Sequence, residues 1–181
     1  NACGVATAKT TSEAYTLALE CDPVSAFGGV LITNGCIDKE AANRLHSLFF
    51  EVLIAPEYTE EALIILKEKK NRILLKRKSV AFAPKQIKTL LNGIIEQDVD
   101  RNIEKELDLK IVTSRKPSKN EIKALLFANK IAKHTKSNTI VLARENQLLA
   151  SGVGQTSRVD ALRQAIEKAK SFGFDLNGSV M

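Results

Sequence analysis

Apolar residues recur along the chain in two rhythms. One is the three-and-four spacing of a helix with one buried face, and the other is a short unbroken run suited to a strand covered on both faces. "TTSEAYTLALE" sets Ala14, Leu17, Ala18 and Cys21 on a single helical stripe, with Thr10 and Glu13 at capping-box spacing. The predicted helix ends before Asp22-Pro23, and "GGVLIT" follows as a buried strand. Asp38 is placed to cap a helix over 39–48, "EVLIAP" at 51–56 predicts a second strand, Thr59 caps "EEALIILKEKK", and "RILL" predicts a third strand. Helices alternating with strands in this way predict an α/β fold built in layers, not a bundle or an all-β sandwich.

The rhythm weakens over 77–109. "KTLLNGIIEQDVD" predicts a strand at 93–97, while "RNIEKELDLK" has the charge of a connection between units. A soft boundary is expected within 84–92, giving units of 1–88 and 89–181. "KIVT" opens the second unit, and Ser118 with Glu121 makes a capping box for "NEIKALLFANKIAK", whose inward face is Ile122, Leu125, Leu126 and Ile131. "NTIVLAR" and "QLLAS" predict a hairpin turning at Glu145-Asn146. Ser157 then caps "SRVDALRQAIEKAK", with Ala161, Leu162, Ala165, Ile166 and Ala169 inward.

Bulk properties narrow the class. The 181 residues suffice for one ordinary domain or two small units, and 44% hydrophobic with 27% charged residues is a globular balance that excludes a disordered chain. The formal net charge of +6 brings phosphate-bearing partners, including nucleic acid, into consideration. Much of it sits in Lys67, Lys69, Lys70, Arg72, Lys76, Arg77 and Lys78, interleaved with "ILL" and not with stacking aromatics, so a solvated face around a strand is the preferred reading. Cys3, Cys21 and Cys36 lack metal-type spacing and are expected to be buried or incidental thiols of a reducing compartment, the cytosol. No apolar run approaches the roughly 18 residues of a membrane span, so a soluble protein without membrane contact is expected. The chain opens on Asn1 among small apolar residues and closes at "LNGSVM" as a strand begins, which suggests a fragment.

Three stretches can carry chemistry. In "SGVGQTSR", 151–158, a strand gives way to a glycine loop and Ser157 starts a helix whose free N–H groups face that loop. Arg158 adds a guanidinium fork suited to phosphate or carboxylate. Spacing alone leaves this balanced against a tight strand-to-helix turn, since it matches neither GxGxxG nor the Walker pattern; Gln155, with no evident core role, favours function. "KHTKSNTI" gathers His134, Thr135, Ser137, Asn138 and Thr139 between a helix end and a strand start. Such oxygens suit a hard monovalent cation and Asn138 could donate to a substrate carbonyl, although the plainer reading is that these groups satisfy the helix end. "CDPVSAFGGV" brings bare glycine backbone to a strand mouth, where ligands of open α/β sheets often sit. Glu51 at a strand start is ordinarily solvated, and His46 among Leu45, Leu48 and Phe49 is ordinarily packed. There is no HExxH, no serine elbow and no informative Cys/His pair, so the residues alone reach an α/β domain with an anion loop.

The ordered set "NACGVA" at 1–6, "DPVSAFGGV" at 22–30, "EVLIAPEYTEEAL" at 51–63, "KHTKSNTIVLA" at 133–143 and "GVGQTSRVDA" at 152–161 resembles the transformylase part of the family that joins AICAR formyltransferase to IMP cyclohydrolase. The likeness runs over nearly the whole chain and is weakest at 64–110. It implies formyl transfer from 10-formyltetrahydrofolate to the 5-amino group of AICAR, on two cytidine-deaminase-like α/β/α units, the second incomplete here, that lack zinc and work as a homodimer with sites at the interface. By position it implies that Asn138 is the catalytic asparagine, that Arg158 and Val159 line the nucleotide and folate pocket, and that Phe27, Gly28 and Glu51 contact the AICAR base or carboxamide. It also implies a potassium site formed by Thr135, Ser137, Thr139 and the carbonyl of Ala132. The family's Lys-His pair, with its proton-accepting histidine, and its "SDAFFPF" segment fall outside these residues, so the chain is expected to hold part of an active site and to be inactive alone.

Overall fold

A computed structural model describes all of residues 1–181. Five α-helices occupy α1 (Thr11–Cys21), α2 (Lys39–His46), α3 (Glu60–Lys67), α4 (Lys119–Lys133) and α5 (Arg158–Ser171). Each begins where the sequence places a cap: Thr10, Asp38, Thr59, Ser118 and Ser157 all accept from the backbone N–H three residues on. At α4 the box is complete, and the Ser118 N–H together with the Arg115 guanidinium holds the Glu121 carboxyl down at about 2. A carboxylate depressed in the fold supports it most above the ordinary glutamate value of 4.5 and loses that support as pH falls towards about 2. An NMR titration of Glu121 should therefore show an acid-shifted midpoint that Arg115→Ala moves part of the way back up. A midpoint unchanged by Arg115→Ala would show that Ser118 alone sets it.

Strands β1 (Gly29–Ile32), β2 (Phe50–Ala55) and β3 (Ile73–Lys76) form a parallel sheet in the order β1-β2-β3. Parallel neighbours require crossovers, and α2 and α3 supply them on one face. There Leu53 and Ala55 pack with Ile37, Ala41, Ala42, Leu45, Phe50, Ala62 and Leu66 in an aliphatic core. On the other face the rows Val30–Val52–Ile73 and Ile32–Ile54–Leu75 carry no helix, and Val30 and Ile32 remain 63% and 69% exposed. The expected third layer is thus missing over this sheet, because the two crossovers between sequential neighbours fall on the same side.

The full α/β/α layering appears in the second unit. Here β6 (Ile140–Arg144) and β7 (Gln147–Gly152) form the predicted antiparallel hairpin turning at Glu145-Asn146. Val141, Ala143 and Leu148 pack on Ala124, Ala128 and Ile131 of α4, while Leu142 and Leu149 pack on Ala165 of α5. The two units share α1, which lies against both α2 and β7, and its last residue, Cys21, sits in the α4 core. Burial raises the Cys21 thiol to about 11, as befits a structural thiol donating to the Leu148 carbonyl.

The middle of the chain departs most from its pattern. The strand expected at 93–97 is β5 (Gly93–Asp98), but it pairs with an unforeseen β4 (Lys85–Leu90) in an exposed hairpin, with Leu91 in the left-handed region at its turn. The expected boundary at 84–92 falls on β4. "KIVT" at 110–113 forms no strand, since nothing lies alongside it to complete a ladder. In the basic stretch, Arg72 is drawn inward: its guanidinium donates to the carbonyls of Leu45, His46 and Leu48 and lies 4.3 Å from the centre of the Phe50 ring. His46 is packed as expected, 3.6 Å from Glu68 across α2 and α3. No helix is long and apolar enough to cross a membrane.

Candidate functional site

The glycine loop is a rigid object. Strand β7 ends at Gly152, where an added Cβ would lie 1.9 Å from the Ala161 carbonyl oxygen, so the glycine lets α5 lie directly on the strand end. Gly154 has φ +69°, the left-handed backbone that reverses the chain. Its N–H donates to the Lys136 carbonyl at 2.8 Å. Gln155 then exchanges backbone hydrogen bonds with Asn138, both 3.2 Å. The segment 136–139 and the loop 152–157 are therefore laced into one unit, which the Thr139 hydroxyl completes by donating to the Gly152 carbonyl at 3.0 Å.

Asn138 sits at the centre of that lacing, after a cis Ser137–Asn138 peptide. Its amide nitrogen donates to the carbonyls of Gln155 at 3.1 Å and Thr156 at 3.0 Å. Flipping the amide would set oxygen against two carbonyl oxygens, so the assignment is fixed by the network. Both amide hydrogens are spent inward. The expected donation from Asn138 to a substrate carbonyl is thus not available in this arrangement, and the group it can turn to a ligand is Oδ1, an acceptor. Gln155 also has a structural task that its sequence context hid: its amide donates to the Val153 carbonyl and to Oε1 of Gln164 on α5, and that oxygen also accepts from the Val153 N–H.

Arg158 is the first residue of α5 and is exposed, as is its neighbour Val159. Its side chain makes no hydrogen bond or ion pair within the chain. A cation in the first turn of a helix opposes the helix dipole. An uncompensated guanidinium beside free helix N–H groups is an arrangement that an anionic ligand would relieve.

The proposed potassium ligands are brought near one another in part. The Thr135 hydroxyl donates to the Ala132 carbonyl at 2.8 Å, Thr139 is committed to Gly152, and Ser137 is exposed. Neutral oxygens of this kind suit a hard monovalent cation in donor type. No three His, Cys, Asp or Glu side chains gather in one place in the chain.

Phe27, Gly28 and Glu51 form a second cluster. The Phe27 and Phe49 rings lie 5.0 Å apart, and the Gly28 N–H donates to the Phe49 carbonyl at 2.8 Å, one residue before β2 and two before the exposed Glu51. This cluster lies at the amino ends of β1 and β2, opposite to the carboxyl ends where open α/β sheets usually bind ligands. No hydrogen bond joins it directly to the Asn138–Arg158 cluster. What links the two is α1 and one ion pair, the buried Asp22 with the part-exposed Lys168 of α5, which sequence spacing could not reveal.

Fold and site together define an α/β chain with a glycine loop laced to an asparagine segment and an anion-ready helix start. The chain belongs to the AICARFT/IMPCHase bienzyme family, whose model matches residues 1–168. It is 64% identical over 181 residues to the bifunctional purine biosynthesis protein PurH of Bacteroides thetaiotaomicron, covering all of this chain and 36% of that protein. It is 46% identical to PurH of Aquifex aeolicus and 45% identical to PurH of Chlorobium phaeobacteroides, again over the whole chain and 35% of each relative. The chain thus spans about a third of the length of these relatives.

Proposed function

We propose that this chain is part of an enzyme that transfers the formyl group of 10-formyltetrahydrofolate to the 5-amino group of AICAR, in a protein that also carries IMP cyclohydrolase activity. Family membership supports the reaction, and one observation supports the site: Asn138 and Arg158 are held on a single laced unit by the 152–157 loop. An aromatic amine beside a carboxamide is a weak nucleophile, so orientation and a base near neutral pKa are what catalysis must supply. Oδ1 of Asn138 is suited to accept from that amine and aim its lone pair at the formyl carbon. As the new C–N bond forms, the bond from the formyl carbon to N10 of the folate breaks, the amine proton passes to a base, and N10 takes up a proton. Arg158 and Val159 bind the nucleotide or folate through charge and apolar contact, and Phe27, Gly28 and Glu51 contact the base or carboxamide of AICAR.

The same proposal includes the two cytidine-deaminase-like units divided near 88/89, a homodimer, a cytoplasmic setting, and no dependence on zinc or nucleic acid. Ala132, Thr135, Ser137 and Thr139 would hold potassium, which would supply a fixed positive charge. The test is direct. The full-length protein carrying this segment, given AICAR and 10-formyltetrahydrofolate, should release tetrahydrofolate in an amount equal to the sum of formylated nucleotide and IMP. Folate release without nucleotide formylation, or no turnover at all, would overturn the reading.

A further inference from the structure

Asp22 and Ser12 are the two polar residues fully buried in the chain, and Asp22 alone of them ionises. It is the C-cap of α1 and starts the 22–28 loop: one carboxylate oxygen accepts from the Ser25 N–H at 2.9 Å, and the other meets Nζ of Lys168. Burial acts to raise the Asp22 pKa, but Lys168 and Ser25 outweigh it and hold the group below its usual value, so it is a carboxylate at neutral pH. Lys168 comes from α5, ten residues beyond Arg158 on the same rigid helix. No other hydrogen bond or ion pair joins the 22–28 loop to α5.

A fully buried carboxylate is a poor source of stability, since desolvation offsets most of what its partner returns. It is a good source of register, because the lysine must reach one point. We propose that Asp22 and Lys168 are a positioning pair that fixes the 22–28 loop, and so Phe27 and Gly28, at a set distance from α5, which carries Arg158 and Val159. Neither residue touches substrate. The inference rests on the proposed function for its substrate but not for its geometry.

The experiment uses the full-length enzyme and three variants: Lys168→Met, Lys168→Arg, and the double variant Asp22→Asn with Lys168→Met. Misplacing one wall of a site by a fraction of an ångström should raise the KM for AICAR about tenfold in Lys168→Met, with kcat changed far less. Lys168→Arg should recover most of the affinity. The double variant removes the stranded charge, so it should melt near the wild type yet keep the raised KM. An unchanged KM in Lys168→Met, or a double variant that regains affinity together with its melting temperature, would make the pair structural only. Absence of AICAR turnover in the wild type would refute the functional reading instead. The pair is then judged by hydrogen exchange, where Lys168→Met should speed exchange in 22–28 and 153–160 together, and an effect confined to one segment overturns it.

Discussion

Gly152→Ala is expected to unfold the second unit. The new Cβ would stand 1.9 Å from the Ala161 carbonyl oxygen, 2.7 Å from its carbon and 2.9 Å from its Cα, all backbone atoms of the first turns of α5. No side chain can rotate to relieve them. The helix must lift from β7, which strips Ala161, Ala165 and Ala169 of their cover and breaks the lacing of 152–157 to 136–139. Overpacking with no route of relaxation puts the cost at about 4 kcal/mol or more, a large part of a typical domain's stability. Gly154→Ala is the control: its Cβ meets nothing nearer than 3.9 Å, so only the left-handed backbone is penalised, at about 1–2 kcal/mol. Urea titrations of both variants decide the matter. A Gly152→Ala chain with wild-type midpoint would show that α5 does not rest on the strand as described.

Arg158→Ala should separate binding from stability. The guanidinium makes no hydrogen bond or ion pair within the chain and opposes the α5 dipole, so its loss should leave stability unchanged or raise it by about a few tenths of a kcal/mol at most. If it meets a phosphate or carboxylate of the nucleotide or folate, its loss should weaken that ligand about a hundredfold, the worth of a charged, forked hydrogen-bond pair. Arg158→Lys should restore only part of this, because an ammonium cannot match the fork. Calorimetric titration with AICAR and with a folate analogue reads the effect on each ligand. Equal affinity in wild type and Arg158→Ala for both would remove Arg158 from the site.

The candidate site was legible in part. Asn138 and Arg158 could be singled out because each lies on a segment whose own composition is unusual, and a glycine loop before a capped helix is a local feature. The direction in which Asn138 points was not legible. It depends on where the carbonyls of Gln155 and Thr156 fall, and these are 17 and 18 residues away in the chain. The sequence context of Gln155 shows no core role, whereas in the fold its amide staples the loop to Gln164 on the next helix. In sequence, Asp22 beside Pro23 has the composition of a helix end. Its partner lies 146 positions on, and no spacing rule reaches that far.

Short-range physics, written in the order of residues, settles the local elements. The five helix starts follow from a hydroxyl or carboxylate three residues before a backbone N–H, the strands β1, β2, β6 and β7 from unbroken apolar runs, and the hairpin turn from Glu145-Asn146. The remaining features come from contacts between distant segments. The tertiary structure placed α1 between two units, left one face of the parallel sheet without helices, paired β4 with β5, left "KIVT" without a partner, and joined the two candidate clusters through Asp22 and Lys168. Caps and periodicity are set by neighbours a few bonds away, whereas pairing, layering and buried charge depend on which distant segments meet.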